Sequence, residues 1–224
     1  MVRNKITLLI IMFVMCMGVM GCKGEKERER VTEGKDENDI LVSLDCKCDM
    51  EKMYNKLEEL CDVSEMVVQC KVIDMESYIK VGSSIYTDYS LEIKEVYKGN
   101  NIKKGDIVHM EMLGGRISGT KYLEQVEEEA EMIEEAEFSQ EELDRKYIEM
   151  LVNDVPLLEV GEIYITFGKY NQYTQMYNSI GNYQGIFEEM HKNIFRRDLA
   201  ESDVEEKNNV LYEISKKEVM QNCD

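Results

Sequence analysis

The sequence predicts a mainly β domain with added helices, built around a small five-stranded barrel. Three observations carry this prediction: residues 85–99 alternate apolar and polar side chains, four further stretches have a similar period, and a long acidic insertion separates the third stretch from the fourth. The strongest stretch changes phase after Ile93, because Glu95 stands where an apolar residue is due and Val96 follows. One extra residue, a β-bulge, explains the change and would bend the strand as a small barrel requires.

The first 21 residues have the layout of a secretory signal peptide. Arg3 and Lys5 precede an almost wholly apolar run at 6–19, and charged residues begin directly after Cys22. The run is shorter than the roughly 20 apolar residues that a membrane-spanning helix needs. We therefore expect residues 1–21 to be removed from the mature protein.

Residues 19–22, Val-Met-Gly-Cys, resemble the lipobox of bacterial lipoproteins. The resemblance implies cleavage before Cys22 and lipidation of its thiol, which would hold the protein on the outer, extracytoplasmic face of the cell membrane. A plain secreted protein and an uncleaved anchor are the alternatives. We interpret residues 22–45 as the lipidated cysteine and a flexible tether, because 23–39 is too polar to bury a core.

The formal net charge of the chain is −19. A protein that binds the phosphate backbone of nucleic acids needs a stripe of Lys and Arg, and this sequence has none. Nucleic acid is therefore excluded as a partner. The excess of acidic residues is typical of a well-solvated surface that is repelled by an anionic membrane and wall.

The barrel domain is predicted to span residues 46–190. It opens with an amphipathic helix at 50–61, where apolar residues recur at helical spacing. The last strand is the weakest, because Gly181 and Gly185 interrupt it and glycines in strands often mark tight bends. The five predicted strands cover 65–77, 85–99, 105–113, 162–170 and 177–187.

The acidic insertion at 120–155 lies between the third and fourth strands. Within it, 121–154 holds 13 acidic and 3 basic residues, and Ser139 with Glu142 forms a capping box at the start of a predicted helix. Calcium binding is the alternative to a solvated helical excursion, but the carboxylates lack the alternating spacing of calcium-binding loops. The apolar face of the predicted helix consists of Leu143, Tyr147, Met150 and Leu151, and a second helix is predicted at 127–137.

The C-terminal extension, 191–224, is predicted to contain a short strand or extended segment near 210–212. A second capping box, formed by Ser215 and Glu218, indicates a closing helix. The five cysteines beyond Cys22 are an odd number, so a full disulfide framework is not implied, and which of them pair is left open. Those five are Cys46, Cys48, Cys61, Cys70 and Cys223.

Two interpretations of the cysteines follow from their neighbours. Cys61 and Cys70 fall in phase with apolar residues, which is typical of small buried side chains. Cys46 and Cys48 suggest half of a metal site, but they lack the spacing of zinc motifs and no His-containing partner motif follows. No metal and no cofactor is therefore expected.

The order of these elements resembles an OB-fold barrel, which has five strands. Three parts of the chain also resemble a family of uncharacterised bacterial exported domains: 63–72, 86–99, and the glycine-rich pieces 113–116, 160–164 and 181–187. The resemblance covers about 57–187 and implies a barrel without catalytic residues. The barrel is also similar to netrin-like protease-inhibitor domains, but these use a free N-terminal cysteine, and an acylated Cys22 could not act in that way.

We expect a non-catalytic binding or interaction module. OB barrels bind oligosaccharides or peptides by stacking on aromatic side chains. The alternative is that these tyrosines only cover a solvent-exposed strand face and bind no ligand. An envelope enzyme that uses His109 with carboxylates of the insertion is the first alternative, and a protease-inhibitor-like or accessory subunit of an envelope complex is the second. The candidate binding surface, with a glycan, peptide or envelope protein as its partner, consists of Tyr164, Tyr170, Tyr173, Tyr177 and Tyr183.

Overall fold

The computed structural model of the chain describes residues 29–30, 39–50, 52–126, 138–199 and 210–223. The predicted signal peptide, Cys22 and the predicted helix at 127–137 lie outside these ranges. The described protein is mainly β, as predicted, with helices added to its sheets. None of the helices in the described ranges combines the length and the apolar character that crossing a membrane would require.

The strands and helices are numbered here in chain order. The helices are α1 (Leu57–Val63), α2 (Gly119–Gln125), α3 (Gln140–Arg145) and α4 (Lys216–Asn222), with a 3-10 helix at Asn182–Gly185. The strands are β1 (Glu29–Arg30), β2 (Ile40–Cys46), β3 (Met66–Val81), β4 (Ser84–Lys98), β5 (Ile107–Leu113), β6 (Gly115–Ser118), β7 (Tyr147–Val152), β8 (Ile163–Asn171), β9 (Met176–Ser179), β10 (Ile186–His191), β11 (Ile194–Arg196) and β12 (Glu213–Ser215).

Nine strands form the larger sheet, in the order β1-β3-β4-β5-β9-β8-β10-β11-β12, and β3 also pairs with β8. The pairings therefore form a closed cycle, which runs from β3 through β4, β5, β9 and β8 and back to β3. The pairing of β5 with β9 is parallel, whereas the other four of this cycle are antiparallel. A core cluster from β3, β4 and β5 includes Val68, Cys70, Leu91, Ile93 and Met110, each with no exposed surface.

The long pair β3–β4 contains the predicted bulge. Cys70 lies opposite Ile93, and Gln69 lies opposite Glu95, so Lys94 is the extra residue on β4. The strand covers Ser84–Lys98, within one residue of the prediction at either boundary. The apolar side chains before and after Lys94 therefore change phase because the strand bulges there, as the sequence predicted.

Residues 147–152 of the insertion form β7, so the predicted long helix is wrong in its second half. The capping box of Ser139 and Glu142 is confirmed, but α3 ends at Arg145. The strand β7 pairs in parallel with β2 and antiparallel with β6. Its backbone therefore makes hydrogen bonds to these two strands, where a helix would make them within itself. Ile148, Met150 and Val152 are buried at a two-residue period, which a helix would not place on one side.

Helix α1 begins at Leu57, and the predicted start at residue 50 is also wrong. The backbone N–H of Tyr54 donates to Oε1 of Gln184 at 2.8 Å, and Nε2 of Gln184 donates to the carbonyl of Lys52 at 3.1 Å. Arg197 donates to the carbonyl of Tyr54 at 3.4 Å. Because distant side chains satisfy this backbone, residues 52–55 need no helical hydrogen bonds.

The predicted strand at 177–187 is broken into β9, a 3-10 helix and β10. Gly181 has a φ of +56°, a conformation that favours glycine. A Cβ atom on Gly185 would lie 2.9 Å from the carbonyl oxygen of Phe167 and 3.0 Å from that of Ile180. These glycines mark a bend, as predicted, but the bend is long enough to separate two strands.

Two parts of the predicted tether are paired strands. Glu29 and Arg30 form β1 against β3, and residues 40–46 form β2 against β7. The apolar residues of β2 from Leu41 onward pack against the insertion, so this part of the predicted tether belongs to the folded domain. The C-terminal extension likewise continues the larger sheet through β11 and β12, and its closing helix and capping box are confirmed.

Cys61 and Cys223 form a disulfide that joins α1 to α4, with their Cα atoms 5.1 Å apart. This corrects the interpretation of Cys61 as a plain buried thiol, whereas Cys70 is a free and fully buried cysteine as predicted. Leu60 and Val219 pack beside the disulfide with no exposed surface. We call α1, α4 and their disulfide the helix junction.

Candidate functional site

Tyr170 and Tyr177 lie opposite each other on β8 and β9. Their rings meet edge to face, with centroids 5.3 Å apart and an interplanar angle of 66°. Tyr170 is 42% exposed, and its backbone N–H donates to a carboxylate oxygen of Glu65 at 3.1 Å. The pair is therefore a supported aromatic surface, with one ring presented to solvent.

The two tyrosines form one wall of an open groove with a volume of about 540 Å³. The opposite wall is the loop between β4 and β5, where Asp106 accepts a hydrogen bond from the backbone N–H of Lys103 at 2.8 Å. The side-chain amides of Asn100 and Asn101 make no hydrogen bond with another described residue. We call this the tyrosine groove; its lining is Asn100, Asn101, Ile102, Asp106, Ile107, Val108, Tyr170 and Tyr177.

The hydroxyl of Tyr177 adds a neutral hydrogen-bonding group to the tyrosine groove. Burial raises the pKa of Tyr177, and the neighbouring Glu65 and Tyr170 raise it further. Its hydroxyl therefore keeps its proton at neutral pH and can donate a hydrogen bond. The groove thus combines ring surface for stacking with amide, carboxylate and phenol groups for hydrogen bonding.

The other three predicted tyrosines lie elsewhere. Tyr164 is only 3% exposed and its hydroxyl accepts a hydrogen bond from the backbone N–H of Glu159 at 3.0 Å. Tyr183 is 4% exposed, and both residues line a second cleft of about 220 Å³. Tyr173, in the turn between β8 and β9, is 99% exposed and does not line the groove. Of the five predicted tyrosines, only Tyr170 and Tyr177 line the tyrosine groove.

Sequence reasoning missed the polar wall of the groove. The segment at 98–106 is rich in Lys, Gly, Asn and Asp, a composition that is typical of turns and does not indicate a binding surface. The parallel pairing of β5 with β9 places the start of β5 beside the tyrosines, which no local pattern indicates. Two adjacent asparagines in a loop that precedes a strand were the one available signal.

His109 lies beside Asp88 of the neighbouring strand. Its Nδ1 is 3.0 Å and 3.2 Å from the two carboxylate oxygens of Asp88, and its side chain is 51% exposed. Among the described residues, no carboxylate of the insertion contacts His109, and 127–137 lies outside them. The geometry in the described ranges thus places a β4 carboxylate beside His109, where the enzyme hypothesis expected one from the insertion.

Glu111 is the centre of a buried polar cluster next to this pair. Nζ of Lys80 donates to its two oxygens at 2.8 Å and 2.7 Å, and the hydroxyl of Tyr78 also donates to it. Burial acts to raise the pKa of Glu111, but the hydrogen bonds from Lys80 and Tyr78 outweigh it and lower the pKa. Glu111 is thus an ionised group that holds β3 and β5 together, and a poor proton acceptor at neutral pH.

The described residues contain no group of three or more His, Cys, Asp and Glu side chains placed to hold a metal ion. The sulfur atoms of Cys46 and Cys48 lie 3.3 Å apart as two unbonded thiols.

A scan of the chain against protein-family models finds none that matches, and a search of curated proteins finds no matching relative.

Proposed function

We propose that the chain is a membrane-anchored extracytoplasmic lipoprotein whose OB-like barrel binds a glycan in the tyrosine groove, without catalysis. The barrel of this proposal consists of β3, β4, β5, β8 and β9. Its support is the cycle of pairings, in which each of the five strands has two partners from the set. An OB-like barrel needs such a cycle of five strands.

The location rests on the sequence around Cys22 and on the disulfide. Cys61–Cys223 joins two buried cysteines 162 positions apart. Disulfides of this structural kind form and persist in oxidising environments outside the bacterial cytoplasm and are rare inside it. An exported chain that is tethered by lipid on Cys22 accounts for both features.

The observation that carries the binding function is the exposed ring of Tyr170, which contacts Tyr177 and lines the same groove as Asn100 and Asn101. OB barrels bind oligosaccharides on the face of their second and third strands and on the loop between the fourth and fifth. The tyrosine groove lies between the start of β5 and the hairpin of β8 and β9, which are the third, fourth and fifth strands of the proposed barrel, and this position supports the comparison. A sugar ring stacks its apolar face on an aromatic ring while its hydroxyls bond to amides and carboxylates.

The charge of the chain narrows the class of glycan. A net charge of −19 disfavours the approach of polyanions to the protein. The groove itself contributes a carboxylate, Asp106, and no basic side chain. The best-fitting ligand is therefore a chain of neutral or amino sugars.

The test is a glycan array probed with the full-length protein purified in detergent, carrying neutral, amino and acidic sugars. We expect saturable binding to neutral or amino sugars, and a roughly tenfold loss of affinity, about 1.4 kcal/mol, in Tyr170→Ala. Tyr173→Ala is the matched control, because Tyr173 is exposed and lies outside the groove. Absence of saturable glycan binding, or equal losses of affinity in both variants, would refute the proposed ligand.

The anchor is tested separately, so that failure of one part leaves the other standing. Mass spectrometry of the mature protein should find an N-terminal Cys22 that carries acyl chains. Cys22→Ser should release the protein from the membrane fraction. A mature protein with an unmodified Cys22 that washes off the envelope would contradict the anchor but would not affect the groove.

A further inference from the structure

The turn after β2 holds two free thiols in contact. The sulfur atoms of Cys46 and Cys48 are 3.3 Å apart, and both residues are half-buried. Lys47 between them points outward, with 80% of its side chain exposed. Two thiols at this distance need only a small approach to form a covalent bond, whereas the third free thiol, Cys70, is fully buried.

Asn153 fixes the backbone of both cysteines. Its backbone N–H donates to the carbonyl of Cys46 at 3.1 Å. Its side chain accepts from the N–H of Cys48 at 2.9 Å and donates to the carbonyl of Cys48 at 3.0 Å. Asn153 has a φ of 52°, so the residue that follows β7 adopts a left-handed conformation to reach this turn. The thiols are therefore held together by a distant part of the chain.

We propose that Cys46 and Cys48 are a redox-active dithiol, which an external disulfide oxidises reversibly to an intramolecular disulfide. The inference does not depend on the tyrosine groove or on the nature of its ligand. The hydrogen bonds between Asn153 and the backbone of both cysteines supply the geometric support, because they keep the two sulfur atoms side by side while one of them reacts.

The exchange proceeds in two steps that conserve atoms and electrons. The Cys48 thiol loses its proton and attacks one sulfur of the external disulfide, which forms a mixed disulfide and releases one thiol. Cys46 then loses its proton and attacks the Cys48 sulfur, which forms the Cys46–Cys48 bond and releases the second thiol. The protein loses two electrons and two protons, and the external disulfide gains them as two thiols.

The order of attack follows from the state of Cys46. Burial, together with the hydrogen bond to Cys48, raises the pKa of Cys46 to about 11. A thiol is a nucleophile only as its thiolate, so Cys46 is poorly suited to attack first. It is suited to resolve the mixed disulfide, because the sulfur that it must reach is already beside it.

The experiment equilibrates the full-length protein with graded ratios of reduced and oxidised glutathione, then blocks free thiols, unfolds the protein and digests it with trypsin. Trypsin cleaves after Lys47, so the two cysteines fall on separate peptides that only a disulfide can keep together. We expect the linked peptides to appear in a single transition as the ratio becomes oxidising. Cys46→Ser should abolish the linked peptides, and Cys70→Ala should leave the transition in place.

A second variant tests the hydrogen bonds made by the Asn153 side chain. Asn153→Gly retains the left-handed backbone but removes the side chain, so the transition should move to a several-fold more oxidising ratio. Two peptides that stay separately blocked at every ratio would overturn the proposal, and so would glutathione adducts or linked chains without the internal bond. Retention of a zinc ion by these thiols in native mass spectrometry, with no linked peptides at any ratio, would overturn it in favour of a metal site.

Discussion

The helix junction and the tyrosine groove present apolar surface in opposite ways. At the junction, Leu60 and Val219 are fully buried beside a covalent bond. At the groove, Tyr170 is 42% and Ile107 is 56% exposed, on elements that the junction does not include. The buried side chains of the junction contribute to stability, whereas the exposed ring at the groove is the one to which the proposed function assigns a ligand. The predictions below separate residues that stabilise the protein from residues that bind.

The largest effect is expected at the helix junction. Cys223→Ala removes the bond between α1 and α4 and should lower the free energy of unfolding by about 2–5 kcal/mol, because the unfolded chain regains the entropy of a long loop. The measurement is urea unfolding with and without reductant. Reductant should bring the wild-type midpoint down to that of the variant, and the difference should persist in a Cys46→Ser background. A wild-type midpoint that reductant does not move would contradict the disulfide.

The next effect is expected at Arg197, which is 1% exposed. One guanidinium nitrogen donates to the carbonyl of Gln184 at 3.0 Å, and another donates to the carbonyl of Tyr54 at 3.4 Å. Arg197→Met leaves these carbonyls without their donor and should cost about 1–3 kcal/mol in urea unfolding. The neighbouring Arg196 pairs with Glu213 in a half-exposed position, so Arg196→Met should cost clearly less than Arg197→Met. Equal losses of unfolding free energy in the two variants would show that the burial of Arg197 does not make it more important for stability than Arg196.

A smaller and pH-dependent effect is expected at Glu111. Because its pKa is lowered in the folded protein, its contribution to stability is present above the unfolded pKa, about 4.3, and is lost as the pH falls through the folded pKa. The free energy of unfolding of the wild type should therefore fall in acid. Glu111→Gln should be less stable by about 1–2 kcal/mol at neutral pH and should lose less on acidification.

The control for this pH dependence is Glu92→Gln, which removes the same charge from a surface pair with Lys94. Its acid-dependent loss of stability should match that of the wild type. If Glu111→Gln and the wild type lost stability in parallel between neutral pH and the acid range, Glu111 would not be the group responsible.

The smallest effect on stability is expected in the groove itself. Tyr170→Ala loses the edge contact with Tyr177 but leaves no buried cavity, so its free energy of unfolding should change by less than about 1 kcal/mol. The midpoint of urea unfolding measures this directly. A loss comparable to that of Cys223→Ala would make Tyr170 a structural residue and would remove the contrast between the two regions.

The parts of the fold that follow from short-range patterns could be predicted from the sequence. The strand β4 pairs with β3 and β5, its neighbours along the chain, so alternation and turn residues define all three. The strand β7 was predicted as a helix because its partner β2 lies about a hundred positions earlier. Helix α1 was extended too far because the side chains that hold 52–54 come from Gln184 and Arg197.

The candidate site was predictable only in part, for a related reason. Tyrosines on the last strands were visible in the sequence, but their burial was not, and Tyr164 and Tyr183 face inward. The pairing of Cys61 with Cys223 was equally inaccessible, because spacing alone does not determine disulfide connectivity. The burial of a tyrosine and the pairing of a cysteine depend on which distant parts of the chain come into contact, and no local sequence pattern contains that information.

The position of Cys223 has a consequence for the order of events during biosynthesis. Its partner Cys61 precedes β3, whereas Cys223 follows β12, so the bond can close only in a polypeptide that already contains every strand from β3 to β12. A chain interrupted anywhere between them displays an unpaired thiol at Cys61. The covalent closure between α1 and α4 is therefore a late event, which follows the synthesis of every barrel strand.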